Sequence, residues 1–234
     1  MQTLKIIRYA AKLALATTAS DPSTKVVRDG LSSLESSLGT SRKAYRLGKF
    51  LQNVNAVRKV HYPAPFSSLE VIANVGDGVY YFVEQFQWLV KAGVLPLKLG
   101  PRLTKISAGG ELLGYVASIT LTLLRLHNLL EREVALLAEL KRRRRARAVA
   151  GEKLEANDGK DDILIAEIRQ LRTRRLLRTL GLAQDIADAF LALSDLRGAA
   201  SATSNSFLSS KSLLAIAGLV SGCISAYKNW PGVA

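Results

Sequence analysis

Few residues in this chain have the types and spacing that catalysis or metal binding needs. His61 and His127 are its two histidines and Cys223 its one cysteine, and neither histidine belongs to a zinc-type ligand pattern. No phosphate-binding glycine loop, nucleophile elbow or dinucleotide fingerprint occurs. Asp161-Asp162 and Glu131/Glu133 read as solvated charges, not as an acid and base pair. The expectation is a non-enzyme with no catalytic residues, no metal and no cofactor. What the spacing does support is the chemistry of an interface. Across residues 41–62, Leu47, Phe50, Leu51, Val54 and Val57 recur on one face of a helix. Arg42, Arg46, Lys49 and Asn53 line most of the opposite side, and Lys43 and Arg58 flank the stripe, where their long stems can lie along it. Acidic residues are absent from the stretch. Such a helix suits an anionic membrane surface. The five apolar residues insert, and Arg42, Lys43, Arg46, Lys49, Arg58 and Lys59 meet lipid headgroups. The same periodicity also fits the core-facing helix of a basic soluble protein.

Composition narrows the partners. Lys and Arg number 33 against 19 Asp and Glu, a net charge of +14, which calls for nucleic acid, anionic lipid or an acidic protein. Hydrophobic residues make up 48% of the chain but aromatics only 6%, the mark of Leu/Ala/Val helices. A single cysteine excludes an internal disulfide framework.

Several elements must position the 41–62 stretch. Residues 1–19, with Lys5, Arg8 and Lys12, form a basic amphipathic helix. Its uncharged run is too short for a secretory signal; a mitochondrial presequence is a second reading. After a polar connector comes a helix with Val26, Val27, Leu31, Leu34 and Leu38. Ser41 is read as the N-cap of the next helix, and Pro63 and Pro65 as its end. A further helix covers 66–91, and its Glu70, Asp77 and Glu84 argue against a lipid-spanning run. Two stretches are candidates for membrane insertion. Residues 106–124 carry Glu111 and the Gly109-Gly110 pair near one end. Residues 212–227 are flanked by Lys211 and Lys228, with Trp230 just beyond. In the second, Gly218, Gly222 and Ala226 form a small-residue ladder for helix packing, expected to hold copies of the chain together. Between the candidates lie the basic run Lys141, Arg142, Arg143, Arg144, Arg145 and Arg147, a polar loop over 151–162 and a helix reaching Leu196. Four regions follow: 1–93, N-terminal amphipathic helices; 94–125, the first membrane-associated helix; 126–197, the basic loop and helix; and 198–234, a linker and the C-terminal membrane helix.

Several of these stretches also resemble a known family. Ser41-Arg42-Lys43-Ala44-Tyr45-Arg46-Leu47-Gly48-Lys49-Phe50 is similar to the S-R-K-x-x-R-L-x-K-F signature of the peroxin-11 family. Glu84 through Trp88-Leu89 to Gly93 is similar to its D-x-x-x-W-L-x-x-x-G pattern, with Glu84 in place of aspartate. Glu111-Leu112-Leu113-Gly114 resembles the E-L-L-G of plant-like members, and Ala226-Tyr227-Lys228 the family's C-terminal motif, with Lys228 replacing glutamine. The resemblance implies an all-α fold, a helical integral membrane protein with amphipathic interfacial helices and one or two short membrane-embedded helices. It implies residence in the peroxisomal membrane and a role in elongating and dividing the organelle. The implied partners are anionic membrane lipids, the chain itself as a homo-oligomer, fission factors with a dynamin-like GTPase, and the peroxisomal membrane-protein import receptor. In that family the receptor reads basic clusters such as 141–147.

Two other classes compete. A basic helical nucleic-acid-binding protein is one, but no aromatic residue lies between Lys141 and Arg178 to stack on bases, so no nucleic-acid partner is expected. A channel or carrier for small metabolites is the other, with Glu111 its one polar candidate within a membrane stretch.

Overall fold

A computed structural model of the protein describes residues 2–18, 24–46, 48–61, 64–150, 159–198 and 210–230. Among them every regular element is helical: α1 Gln2–Thr17, α2 Lys25–Ala44, α3 Lys49–Arg58, α4 Ser67–Lys91, α5 Gly100–Ala150, α6 Gly159–Gly198 and α7 Lys211–Lys228. A 3-10 turn, Leu97–Leu99, leads into α5. The expected all-α class is therefore what the chain adopts. Among the described residues one helix, Leu97–Val149, is long and apolar enough to cross a membrane.

The continuous helix expected over 41–62 is two helices. Ser41 does not cap a helix; it lies in the last turn of α2 and accepts a hydrogen bond from the Tyr45 amide at 3.0 Å. Gly48, at φ 74°, then turns the chain into α3. That left-handed conformation costs a glycine little and most other residues a good deal. Gly93, at φ 78°, marks the end of α4 in the same way.

The chain forms two compact units, Met1–Leu121 with Ala183–Ala234, and Thr122–Leu182. In the first, α1 packs on both α7 and α2, and α3 lies along α4. Small residues make these approaches close. Among the described residues, five of the nine buried apolar residues of this unit are alanines: Ala11, Ala108, Ala117, Ala192 and Ala215. Gly218 meets the Tyr9 ring, and Gly222 faces Ile6. The expectation that Gly218 and Gly222 join two copies is thereby corrected, because that face of α7 is filled by α1 of the same chain. A second such contact joins α4 to α5, where a Cβ on Gly76 would lie 2.6 Å from the Gly114 amide nitrogen and 2.7 Å from the Gly110 carbonyl.

Many of the large apolar side chains of this unit point outward. Ile72, Val75, Val79, Phe82 and Phe86 follow one another at helical spacing along α4, each between 36% and 47% exposed. The opposite face of α4 carries Asp77, Tyr80, Tyr81, Glu84 and Gln87, all directed at an interior cavity. Of the three carboxylates on this helix, Asp77 and Glu84 face the cavity and Glu70 does not, and α4 is not among the helices long and apolar enough to cross a membrane.

The second unit is built the usual way round. Leu140, Leu164, Ile168 and Leu171 are buried, with Leu136 and Ile165 packed beside them. Contacts run antiparallel: Arg147 meets Asp161 at 3.0 Å, and further along Glu133 meets Arg172 at 2.8 Å and Arg175 at 2.6 Å. Lys141, Arg142, Arg144 and Arg145 are exposed, Arg143 pairs with Glu139 one turn away, and Arg147 holds Asp161.

The glycine contacts give a direct test. Gly76→Ala pushes a methyl group into backbone that cannot step aside, and we expect it to destabilise the protein by about 1–3 kcal/mol. Gly109→Ala enters open space on the same helix that receives Gly76. It should be neutral or stabilising by up to about 1 kcal/mol through helix propensity. Unfolding midpoints of the two variants in detergent micelles check this; equal midpoints would refute the close approach.

Candidate functional site

A polar cavity of about 340 Å³ lies within the first unit. Each helix that reaches it contributes its polar side: Lys5 and Tyr9 from α1, Arg42 and Lys43 from α2, Lys49 from α3, Asp77 to Gln87 from α4, Glu111 and Tyr115 from α5, Asp188 and Asp195 from α6. Arg46, in the turn between α2 and α3, joins them. The side chains arrive there because the outward stripes and the inward polar residues are offset by half a helical turn.

Ion pairs organise the lining. The Arg46 guanidinium donates to Glu84 at 3.1 Å and to the Tyr80 hydroxyl at 2.9 Å, and Glu84 is only 4% exposed. Lys5 donates to Asp188 at 2.8 Å and to the Ser221 hydroxyl, which itself donates to Asp188 at 2.7 Å. This triad ties α1 to α6 and α7. Lys49 donates to the Tyr81 hydroxyl at 2.6 Å and lies 4.2 Å from the centre of that ring. Lys43 donates to the Gln87 carbonyl oxygen. On α5, Tyr115 donates to Glu111 at 3.2 Å. Ser118 donates to Asp185 at 2.7 Å.

The environment shifts the basic groups. Burial pushes the Lys43 amine down to about 8, opposed by Glu84 and Asp195 and reinforced by Lys91 and Arg8. Burial also lowers Lys49, with Arg46 adding to the effect, and lowers Lys5 against the pull of Asp188.

The two faces of residues 41–62 are therefore as the spacing predicts, but the polar face does not lie open to headgroups. Arg42 is buried, and Lys43, Arg46 and Lys49 are partly buried against Gln87, Glu84 and Tyr81. Of the six expected headgroup residues, Arg58 and Lys59 are the exposed ones. Among the expected membrane-inserting residues, Leu51 and Val54 are exposed, and Phe50 packs edge-on against Phe82 at 5.4 Å. Phe82 in turn meets Phe86 at 5.2 Å, so α3 extends the outward ridge of α4. Val57 is half-buried, and Leu47 lies outside the described residues. Ala226, the third member of the small-residue ladder, is also half-buried. The α4 tyrosines and the α6 aspartates of the lining escaped sequence reasoning, since nothing in their local spacing marks them; the signal was the polar side of α4 itself.

Residues from three separate sequence signatures thus meet at one site: Arg42 and Arg46 from the first, Glu84 from the second and Glu111 from the third. The sequence matches the family Peroxisomal biogenesis factor 11 (PEX11) over residues 2–230. The chain belongs to that family. It is 44% identical over 227 residues to Peroxisomal membrane protein 11-3 of Oryza sativa subsp. japonica, covering 97% of this chain and 81% of the relative. To Peroxisomal membrane protein 11A of Arabidopsis thaliana it is 36% identical over 228 residues, covering 97% and 85%. Peroxisomal membrane protein 11B of the same plant is 30% identical over 230 residues, covering 97% and 90%. No solved structure matches. The chain is a PEX11-type protein of the peroxisomal membrane.

Two outcomes are expected at this site. Glu84→Ala leaves Arg46 buried and unpaired and should cost about 3–5 kcal/mol, whereas Arg46→Met combined with Glu84→Leu should cost much less. Detergent unfolding of the single and double variants measures the difference. Lys43 carries the sign of a group whose folded pKa is depressed, from 10.5 to about 8. The fold disfavours its charged form, so its penalty is largest below pH 8 and fades as pH rises toward 10.5. Thermal midpoints of wild type should gain more between pH 7.5 and 9.5 than those of Lys43→Met; parallel curves would disprove the assignment.

Proposed function

We propose that this protein curves and elongates the peroxisomal membrane, promoting division of the organelle. It does so by seating the apolar outer surface of its first unit in the lipid. The observation that carries this reading is the inversion of that unit: five large apolar residues exposed along α4, with charge and hydroxyls inside. In water this arrangement exposes apolar surface that a soluble protein would bury; in lipid it costs nothing. The short helix α3, held on α4 through Phe50 and Phe82 and presenting Leu51 and Val54, is the wedge. Inserted into one leaflet, it expands that leaflet relative to the other. Arg58 and Lys59 follow directly and meet anionic headgroups, adding about 1 kcal/mol each.

Copies of the chain associate through these outward faces, since the small-residue face of α7 is occupied within the chain. The exposed basic run of the second unit, Lys141, Arg142, Arg144 and Arg145, is the segment offered to the import receptor. Fission factors and a dynamin-like GTPase act on the tubule that results.

The test is reconstitution of the full chain with anionic vesicles, followed by electron microscopy. Wild type should draw the vesicles into tubules. Leu51→Asp places a carboxylate on the exposed wedge without touching the cavity, and should abolish tubules at any ionic strength. Arg58→Ala with Lys59→Ala should weaken binding in a way that low salt restores. Tubules from Leu51→Asp equal to those of wild type would sink the wedge.

A further inference from the structure

Of the cations on the cavity wall, Lys5, Arg8 and Arg46 have a carboxylate within bonding distance, and Arg42, Lys43 and Lys49 have none among the described residues. Lys5 pairs with Asp188 at 2.8 Å, Arg8 with Glu35 at 2.8 Å and Arg46 with Glu84 at 3.1 Å. Arg42 lines the same cavity and is only 7% exposed, yet its side chain makes no hydrogen bond or ion pair with any described residue. The charged and phenolic groups acting on it most strongly are Arg46, Tyr9, Arg8 and Tyr80, and Lys5 is a further cation coupled to it. A guanidinium does not escape by losing its proton. A buried cation among cations requires a counter-ion. Lys43 and Lys49 hydrogen-bond instead to the neutral Gln87 and Tyr81. The remaining carboxylates of the cavity serve other groups: Asp195 acts on Lys43, Asp77 on Lys49, Asp185 accepts from Ser118, and Glu111 accepts from Tyr115.

We infer that Arg42 anchors an internal binding site for a phosphate-type oxyanion, with Lys43 and Arg46 as supporting charges. The planar fork of an arginine suits two oxygens of one such group. A cavity of about 340 Å³ takes the oxyanion together with a small polar body. Its lining of tyrosines, carboxylates, amides and cations favours a hydroxyl-bearing body over an apolar one. The oxyanion comes either free in solution or on a lipid headgroup, and both present the same chemistry to Arg42. This site stands on the geometry of the cavity and does not depend on membrane curvature.

The experiment measures the thermal midpoint of the full chain in an uncharged detergent at constant ionic strength. One arm adds inorganic phosphate, and the other phosphatidic acid against phosphatidylcholine. In wild type the midpoint should rise by several degrees in at least one arm; a rise with phosphate identifies a soluble anion, and a rise with phosphatidic acid alone a lipid headgroup. Arg42→Gln should lose the rise, and Arg42→Lys should need about tenfold more anion because it keeps the charge and loses the fork. Arg58→Gln with Lys59→Gln, outside the cavity, should keep it. Without added anion, Arg42→Gln should melt no lower than wild type, since it removes an unpaired charge. No rise in wild type in either arm, an equal rise in Arg42→Gln, or an anion-free Arg42→Gln melting well below wild type would each overturn the proposal.

Discussion

A charge taken out of water calls for an opposite charge, and the buried ion pairs of the first unit reach it from one helix to another. Arg46 reaches Glu84 on α4, and Lys5 reaches Asp188 on α6 with Ser221 of α7 between them. Leaving either partner alone would cost several kcal/mol, comparable to the whole stability of a small domain. These pairs therefore set the rotation of each helix about its axis. Once Glu84 must face Arg46, Ile72, Val75, Val79, Phe82 and Phe86 have nowhere to go but outward. The apolar exterior is a consequence of the polar interior, and the alanines and glycines between the helices are what allow the pairs to close.

The two units are built with opposite polarity. In the second, Leu140, Leu164 and Ile168 are inside and the arginines are outside, as water demands. In the first, the buried apolar residues are mostly alanines, and the interior energy comes from hydrogen-bonded charge. A single stretch of sequence such as α5 contributes to both, with Gly110 and Gly114 serving the first and Leu136 and Leu140 the second.

How much of this was legible beforehand depended on how local the cause was. The end of α4 before Gly93, the start of α7 at Lys211 and the two-faced character of residues 41–62 follow from neighbours in the chain. The break at Gly48 was visible as a glycine, but unbroken apolar spacing outweighed it. What could not be read was the destination of the polar face. A period of 3.6 residues sorts side chains into faces without saying what each face meets. Arg46 and Glu84 are 38 positions apart, Lys5 and Asp188 183. The small-residue ladder misled for the same reason: Gly218 and Gly222 mark a close approach, and only the tertiary structure says that the neighbour is α1.

The outward ridge of Phe50, Phe82 and Phe86 has a consequence for how the protein is made. A contiguous exposed apolar patch of this kind drives aggregation in water. Between ribosome and organelle, folding is therefore a hazard rather than a protection, because reaching the native packing exposes the ridge.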